Sequence, residues 1–263
     1  DKTNTTESLP RPYLGMSQLG EECLRKLWFY FRWCSKSKVD GRVNRIFTTG
    51  HKAEADMIES LESIGVEVWD VLDDQAGFSA VSGHVRGHSD GMCKGVPGAE
   101  KTVHLLEFKT SSDKLFKLVK KNGVKKEKYV HYVQQVLYMH FSGATRSLYM
   151  VYNKNDSSYY IERVKENPEL AEKMLDKSEA IIISEDVNEF RKIGSGNPSF
   201  YKCKFCDFSD VCHSVSKAEV NCRTCKHADI AVDGKWNCGL HDIDDVSTEN
   251  QAKGCGSHEY LDC

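Results

Sequence analysis

In the stretch HLLEFKT, Glu107 and Lys109 stand two residues apart, so on a β-strand both side chains leave one face while Phe108 enters the opposite layer. Upstream, GHSDG sets Asp90 between Gly87 and Gly91, where the backbone can turn and a ligand can come close. Two carboxylates with lone pairs to spare suit Mg²⁺ or Mn²⁺, hard cations that keep open positions for water and phosphate. Lys109 beside them is suited to orient or deprotonate an attacking water and to offset phosphate charge. An isolated Glu-x-Lys on a strand is more often an exposed cross-strand ion pair, so the pattern gains force only in company.

The cysteines carry a second chemistry. Cys203-x2-Cys206 is followed six positions on by Cys212, which is metal-ligand spacing, yet three thiolates do not close a tetrahedral site and a fourth ligand must come from elsewhere. Iron-sulfur clusters and zinc both use thiolates, and composition does not separate them. Further on, Cys222-x2-Cys225, Cys238 and Cys255 form a second set that reads as structural zinc, with His241 and His258 each able to displace one of the later cysteines. Cys93 and Cys263 are read as non-ligands.

Hydrophobic periodicity supplies the elements that must position these groups. Leu19, Cys23, Leu27, Tyr30 and Phe31 recur at helical spacing, and Val43 to Ile64 predicts one long amphipathic helix or a pair broken near Gly50. Between Gly65 and Thr110 the period falls to two, predicting strands in VEVWDVL, GFSAVSGHVRGHSDGM and TVHLLEFKT. Helical spacing returns in DKLFKLVKKNG and YVHYVQQVLYMHF; SLYMVYN and SYYIERV read as two more strands around the turn KNDS, and a last helix runs from about Pro168 to Glu185. This order suits an α/β core with a mixed sheet. After Ser214 the composition turns to Cys, His, Gly and Asp, a small module that a metal must staple.

The bulk numbers exclude some classes. At 263 residues, 40% hydrophobic and 29% charged, the chain is long enough for one sizeable core and an appendage. A net charge of -3 means that contact with nucleic acid must rest on local patches such as Lys114 to Lys128, which is equally a solvated helix and loop. Eleven cysteines without an apolar leading segment predict metal ligands in a reducing, cytoplasmic setting rather than disulfides, and no apolar run predicts a membrane span.

The ordered series Gly50-x3-Glu54, Asp90 in GHSDG, Glu107 and Lys109 in LLEFKT, and Gln134-x3-Tyr138 in YVQQVLYMH resembles the PD-(D/E)XK nuclease superfamily, specifically its RecB-like exonuclease branch. The resemblance implies a restriction-endonuclease-like α/β core with a central mixed sheet flanked by helices. It implies Glu54, Asp90, Glu107 and the backbone carbonyl of Phe108 as Mg²⁺ or Mn²⁺ ligands, Lys109 as the catalytic lysine, and Gln134 and Tyr138 facing the cleft to touch DNA or order that lysine. His51 shares the helix side of Glu54, but Glu54 has the family spacing. His88 shares a strand face with Asp90 and reads as a supporting residue or a structural histidine.

Members of this branch, AddB and the CRISPR adaptation nucleases among them, hold a [4Fe-4S] cluster with one cysteine ahead of the nuclease motifs and three after them in the spacing of Cys203, Cys206 and Cys212. The resemblance implies Cys23, in CLRKLWF, as the upstream ligand, with Cys34 ranked second. The expected organisation is a nuclease domain over 1–215 and a zinc-binding tail over 216–263. The function implied is metal-dependent DNA exonuclease activity in recombination, repair or phage DNA processing, with DNA and a recombination or replication protein as partners; the chain is similar to phage-encoded members. The alternative is a catalytically silent DNA-binding or assembly subunit with structural metal sites.

Overall fold

The computed structural model describes residues 9–36 and 41–261; Cys263 lies outside the described residues. These residues form two compact units, one made of 41–78 and 87–174 and the other of 9–36, 79–86 and 175–261. Residues 9–36 therefore belong to the same unit as the cysteine-rich tail, a grouping that a division after residue 215 does not capture.

In the first unit, one unbroken helix α1 (Gly41–Ser63) settles the alternative left open at Gly50. It is followed by β1 (Glu67–Trp69), β2 (Gly91–Lys94) and β3 (His104–Ser111). Helices α2 (Asp113–Asn122), α3 (Val124–Glu127) and α4 (Tyr129–Ser142) then lead to β4 (Arg146–Asn153) and β5 (Tyr159–Lys165). The sheet runs β1-β2-β3-β4-β5 in space, with β3 and β4 parallel and every other neighbour antiparallel. A parallel pair needs a long crossover, and α2 to α4 provide it.

The apolar stripe of α1 explains its docking. Ala53, Met57, Ile58 and Leu61 fall at helical spacing and pack on Leu106, Phe108, Leu148 and Met150, the alternate residues of β3 and β4. The other alternation sends Glu107 and Tyr149, partners in the β3–β4 register, out of the opposite face. There α4 packs, with Gln135 accepting from the Ser147 hydroxyl at 2.8 Å. Because helices cover both faces, β3 is buried over most of its length, and Glu107 is held at 0% exposure. Helix α4 ends on Gly143, whose φ of 73° in the left-handed region makes it a natural stop.

The predicted strand VEVWDVL is shorter than its pattern, giving way after Trp69 to a 3₁₀ turn at Leu72–Asp74. GFSAVSGHVRGHSDGM yields three short strands, Gly77–Ala80, Val85–His88 and β2.

The second unit is organised around the helix Leu24–Phe31, where Trp28, Phe29 and Phe31 are buried. Trp28 Nε1 donates to the Ser184 carbonyl at 2.9 Å, and Arg25 donates to the carbonyls of Val187 at 3.0 Å and Phe190 at 3.2 Å. Its tail contributes the antiparallel pair Ala228–Ile230 and Trp236–Cys238 and the helix Thr248–Lys253, started by the Ser247 side chain accepting from the Asn250 N–H. Arg223 ties this tail to the leading segment: buried completely, it donates to the carbonyls of Phe31 at 3.2 Å and Pro12 at 2.8 Å and lies 3.8 Å over the Trp33 ring. Among the described residues no helix is long and apolar enough to cross a membrane.

Candidate active site and cysteine clusters

The first unit brings Glu54, Asp90, Glu107, Phe108 and Lys109 together. Asp90 lies in the bend before β2, and its Oδ2 accepts the backbone N–H of Phe108 at 2.6 Å, so the turn is stitched to the centre of β3. Lys109 forms an ion pair with Glu107 and donates to the Phe108 carbonyl at 3.1 Å. Glu54 rises from α1, with Oε1 accepting from Gln75 Nε2 at 3.0 Å. His51 stands 4.0 Å from Glu54 and is 82% exposed, leaving Glu54 as the inward-facing residue of the two.

Burial dominates the electrostatics. It pushes Glu107 up to about 8; Lys109 opposes that shift, while the charges of Asp90 and Glu54 add to it. Burial also raises Asp90 against the pull of Lys109 and the Phe108 N–H, and raises Glu54 with help from Asp90. Lys109 loses solvation too, but the Glu107 and Asp90 carboxylates outweigh that loss and hold its pKa above the ordinary lysine value. Neither Glu107 oxygen makes a hydrogen bond of good geometry with a described residue. Three carboxylates that repel one another, one of them buried with unused lone pairs, are a donor set of the kind a hard divalent cation satisfies.

Glu54, Asp90, Phe108 and Lys109 line a cleft of about 550 Å³. Its other wall residues include Lys128, the end of the basic run from Lys114, and His131, Tyr149 and Lys154, which belong to no motif. His131 Nδ1 and the Tyr149 hydroxyl are 2.8 Å apart. Burial, together with the charges of Lys109 and Lys128, pushes His131 down to about 3, so it is neutral at physiological pH. The alternation of β4, which puts Tyr149 on the face of Glu107, is the signal from which Tyr149 was predictable.

Gln134 and Tyr138 sit together on α4 but are buried instead of lining that cleft. Gln134 Nε2 donates to the Tyr138 hydroxyl at 3.4 Å, and the Tyr138 pKa is raised by burial and then by the charges of Glu107 and Asp90. Tyr138 is thus an electrostatic neighbour of the carboxylates from below. Gly87 makes room for it, since a Cβ there would stand 2.6 Å from the Tyr138 ring. His88 is exposed and lies against Gly77.

In the second unit, Cys23 caps the helix Leu24–Phe31, Cys203 lies in the short helix Tyr201–Lys204, and Cys212 closes Ser209–Cys212. Burial raises the Cys23 thiol, and Cys212 and Cys206 add to the shift; Cys203 is raised by burial and then by Cys23 and Cys212. The four cysteines of this set are therefore electrostatic neighbours although Cys23 stands near one end of the chain and the other three far along it. Cys34 is buried, and its carbonyl accepts from the Glu219 N–H at 3.1 Å. Cys93 is enclosed in the α1–sheet core, where burial pushes its thiol up to about 12. Among the described residues no group of three or more His, Cys, Asp or Glu side chains stands, as placed, ready to hold a metal ion.

No protein family matches the chain by sequence, and no curated protein matches it either. Among solved structures the fold is similar to an alkaline exonuclease, LHK-Exo, from Laribacter hongkongensis, with a TM-score of 0.48 and 15% identity over 66% of this chain and 87% of that one. It is also similar to LHK-Exo in complex with dAMP, with a TM-score of 0.46 and 13% identity over 65% of this chain and 86% of that one.

Proposed function

We propose that the chain is a metal-dependent DNA exonuclease of the PD-(D/E)XK type, hydrolysing phosphodiester bonds in the cleft that Lys109 lines. The observation that carries this reading is the placement of Glu107: a carboxyl with lone pairs to spare, buried at the centre of β3, beside Asp90 and Glu54 and paired through one oxygen with Lys109. An exposed cross-strand ion pair, the competing reading of Glu-x-Lys, does not explain a fully buried glutamate. Glu54, Asp90, Glu107 and the Phe108 carbonyl would hold Mg²⁺ or Mn²⁺, which supplies Lewis acidity at the phosphoryl oxygen.

The protein's own groups do the rest. Asp90, fixed by the Phe108 N–H, presents its remaining lone pairs without moving. Lys109 keeps its proton at physiological pH, so its part is to orient the attacking water and offset charge on the phosphate. Lys128 and Lys154 on the cleft wall add positive charge along the path of a polyanion. Gln134 and Tyr138 support the carboxylates from within the core, a positioning role.

Cys23, Cys203, Cys206 and Cys212 would hold a [4Fe-4S] cluster, a reading supported by their mutual electrostatic proximity and all-thiol chemistry. Such a cluster closes a very long loop and supplies stability. Recombination or replication proteins are the partners this activity implies, and the eleven cysteines suit a reducing, cytoplasmic setting.

The test is cleavage of end-labelled linear single- and double-stranded DNA with Mg²⁺ or Mn²⁺ and with chelator. Wild type should release nucleotides only with the metal, and Lys109→Ala should lose roughly 10²-fold or more of that rate. Undiminished degradation by folded Lys109→Ala would sink the assignment.

A further inference from the structure

We propose that Cys222, Cys225, Cys238 and Cys255 form a sulfur-only zinc site that staples the tail of the second unit, with His241 as a hydrogen-bond donor to Cys255 and not a ligand. Its lining shares no residue with the cleft or with the Cys23 set, and its four ligands come from three local structures. Cys222 opens a 3₁₀ turn, Cys222–Thr224, whose start is fixed by the Asn221 side chain accepting the N–H groups of Arg223 at 2.8 Å and Thr224 at 3.2 Å. Cys225 follows that turn, Cys238 ends the strand Trp236–Cys238, and Cys255 follows the helix Thr248–Lys253 across Gly254.

These elements surround a cavity of about 20 Å³ lined by Cys222, Cys225, Cys238, Cys255, His241 and His258. That is room for about one water-sized sphere, the scale of a single ion.

The histidines at this site are not equivalent, and hydrogen bonding sorts them. His258 Nε2 is engaged with Thr224 Oγ1 at 3.1 Å, and His227 Nε2 with Glu259 Oε1 at 3.0 Å. His241 alone of the three points its ring nitrogen at a cysteine, with Nε2 3.8 Å from Cys255 Sγ. A donor at that sulfur stabilises a thiolate while leaving all four sulfurs for the metal. Zinc, which takes four thiolates in tetrahedral geometry without redox chemistry, is the ion this set suits.

The tail has few elements of its own for a staple to hold together. Its strands are three residues long and its helix six; Ala228, Trp236, Val246 and Leu261 are the principal apolar side chains it buries, with Trp236 packed on Phe31 at 5.5 Å between ring centroids.

The experiment is zinc content and zinc-edge X-ray absorption on the full chain purified anaerobically, for wild type, C222S/C225S, C255S and H241A, with iron measured in parallel. C222S/C225S and C255S should each hold one zinc fewer than wild type, while H241A keeps it. The wild-type shell should show sulfur at about 2.3 Å and no nitrogen near 2.0–2.1 Å. Equal zinc in C222S/C225S and wild type overturns the site, and zinc lost in H241A but kept in C255S overturns the ligand set. Should the double-serine variant fail to fold, the wild-type spectrum decides alone: a nitrogen shell, or no zinc after loading, refutes the proposal. None of these readouts depends on DNA cleavage.

Discussion

Asp90 Oδ2 accepts the backbone N–H of Phe108 at 2.6 Å, joining the bend before β2 to the strand that carries Glu107 and Lys109. One carboxylate oxygen is thereby a structural acceptor, and the other is left for chemistry. Asp90→Asn retains an acceptor for the Phe108 N–H but removes the charge. It should keep thermal stability close to wild type while metal-dependent cleavage falls by roughly 10²-fold or more. Asp90→Ala leaves the N–H without its partner and should cost about 1–3 kcal/mol in urea unfolding as well. Equal stability of the two variants would show that the hydrogen bond is not structural.

Lys109 is the cation beside a buried carboxylate, so its removal should be felt differently on the two sides of the Glu107 titration. Glu107 has a folded pKa of about 8, above its unfolded value of 4.5, so its protonated form is the one folding favours. Stability from this group is full below about 4.5 and is lost as pH rises through 8. Lys109→Met removes the opposing cation and raises the Glu107 pKa further. At pH 6 the variant should unfold near wild type; at pH 9, where Glu107 ionises beside Lys109 in wild type but stays protonated at a cost in the variant, it should be weaker by about 1 kcal/mol. A pH-independent difference would contradict the pairing.

His131 carries the opposite sign. Its pKa is about 3 in the folded protein, lowered by burial and by Lys109 and Lys128, against 6.5 as the ordinary value. The unfolded chain therefore takes up this proton first as pH falls, and stability present above about 6.5 declines on the way to 3. Between pH 6.5 and 5 the loss should approach about 2 kcal/mol, and His131→Gln should remove that slope. Urea midpoints at the two pH values, wild type against variant, measure it.

Much of this was legible in the sequence, and the misses have physical causes. The period-two run around Glu107 and the helical stripe at Ala53, Met57, Ile58 and Leu61 fixed the sheet face and the helix on it, because burial on one side dictates periodicity. Spacing also singled out Cys203, Cys206 and Cys212, which do neighbour Cys23. Composition suggests a separate tail after residue 215, but Arg223 hydrogen bonds to the carbonyls of Pro12 and Phe31, and no local pattern announces partners 211 and 192 residues away. Gln134 and Tyr138 were expected on the cleft wall; helical spacing predicts that they share a side of α4, and that side faces the core. His131 and Lys154 belong to no motif and enter the cleft only through the crossover that brings α4 and β4 beside β3.

Arg223 supplies the last prediction. It is fully buried and held by neutral groups: its fork donates to the Phe31 and Pro12 carbonyls and to Gln251 Oε1 at 2.9 Å, and its flat face covers Trp33. Burial and the nearby Arg32 charge press its pKa below the ordinary arginine value, so the position is costly and is held by the shape of the fork. Lysine offers neither the planar face nor bidentate reach. Arg223→Lys should therefore destabilise nearly as much as Arg223→Met, each by about 2–4 kcal/mol, as two carbonyls lose their donors in a site closed to water. Charge conservation alone predicts a mild lysine variant and a severe methionine one, and paired urea titrations of the two, with Lys109 and the cleft untouched, separate the explanations.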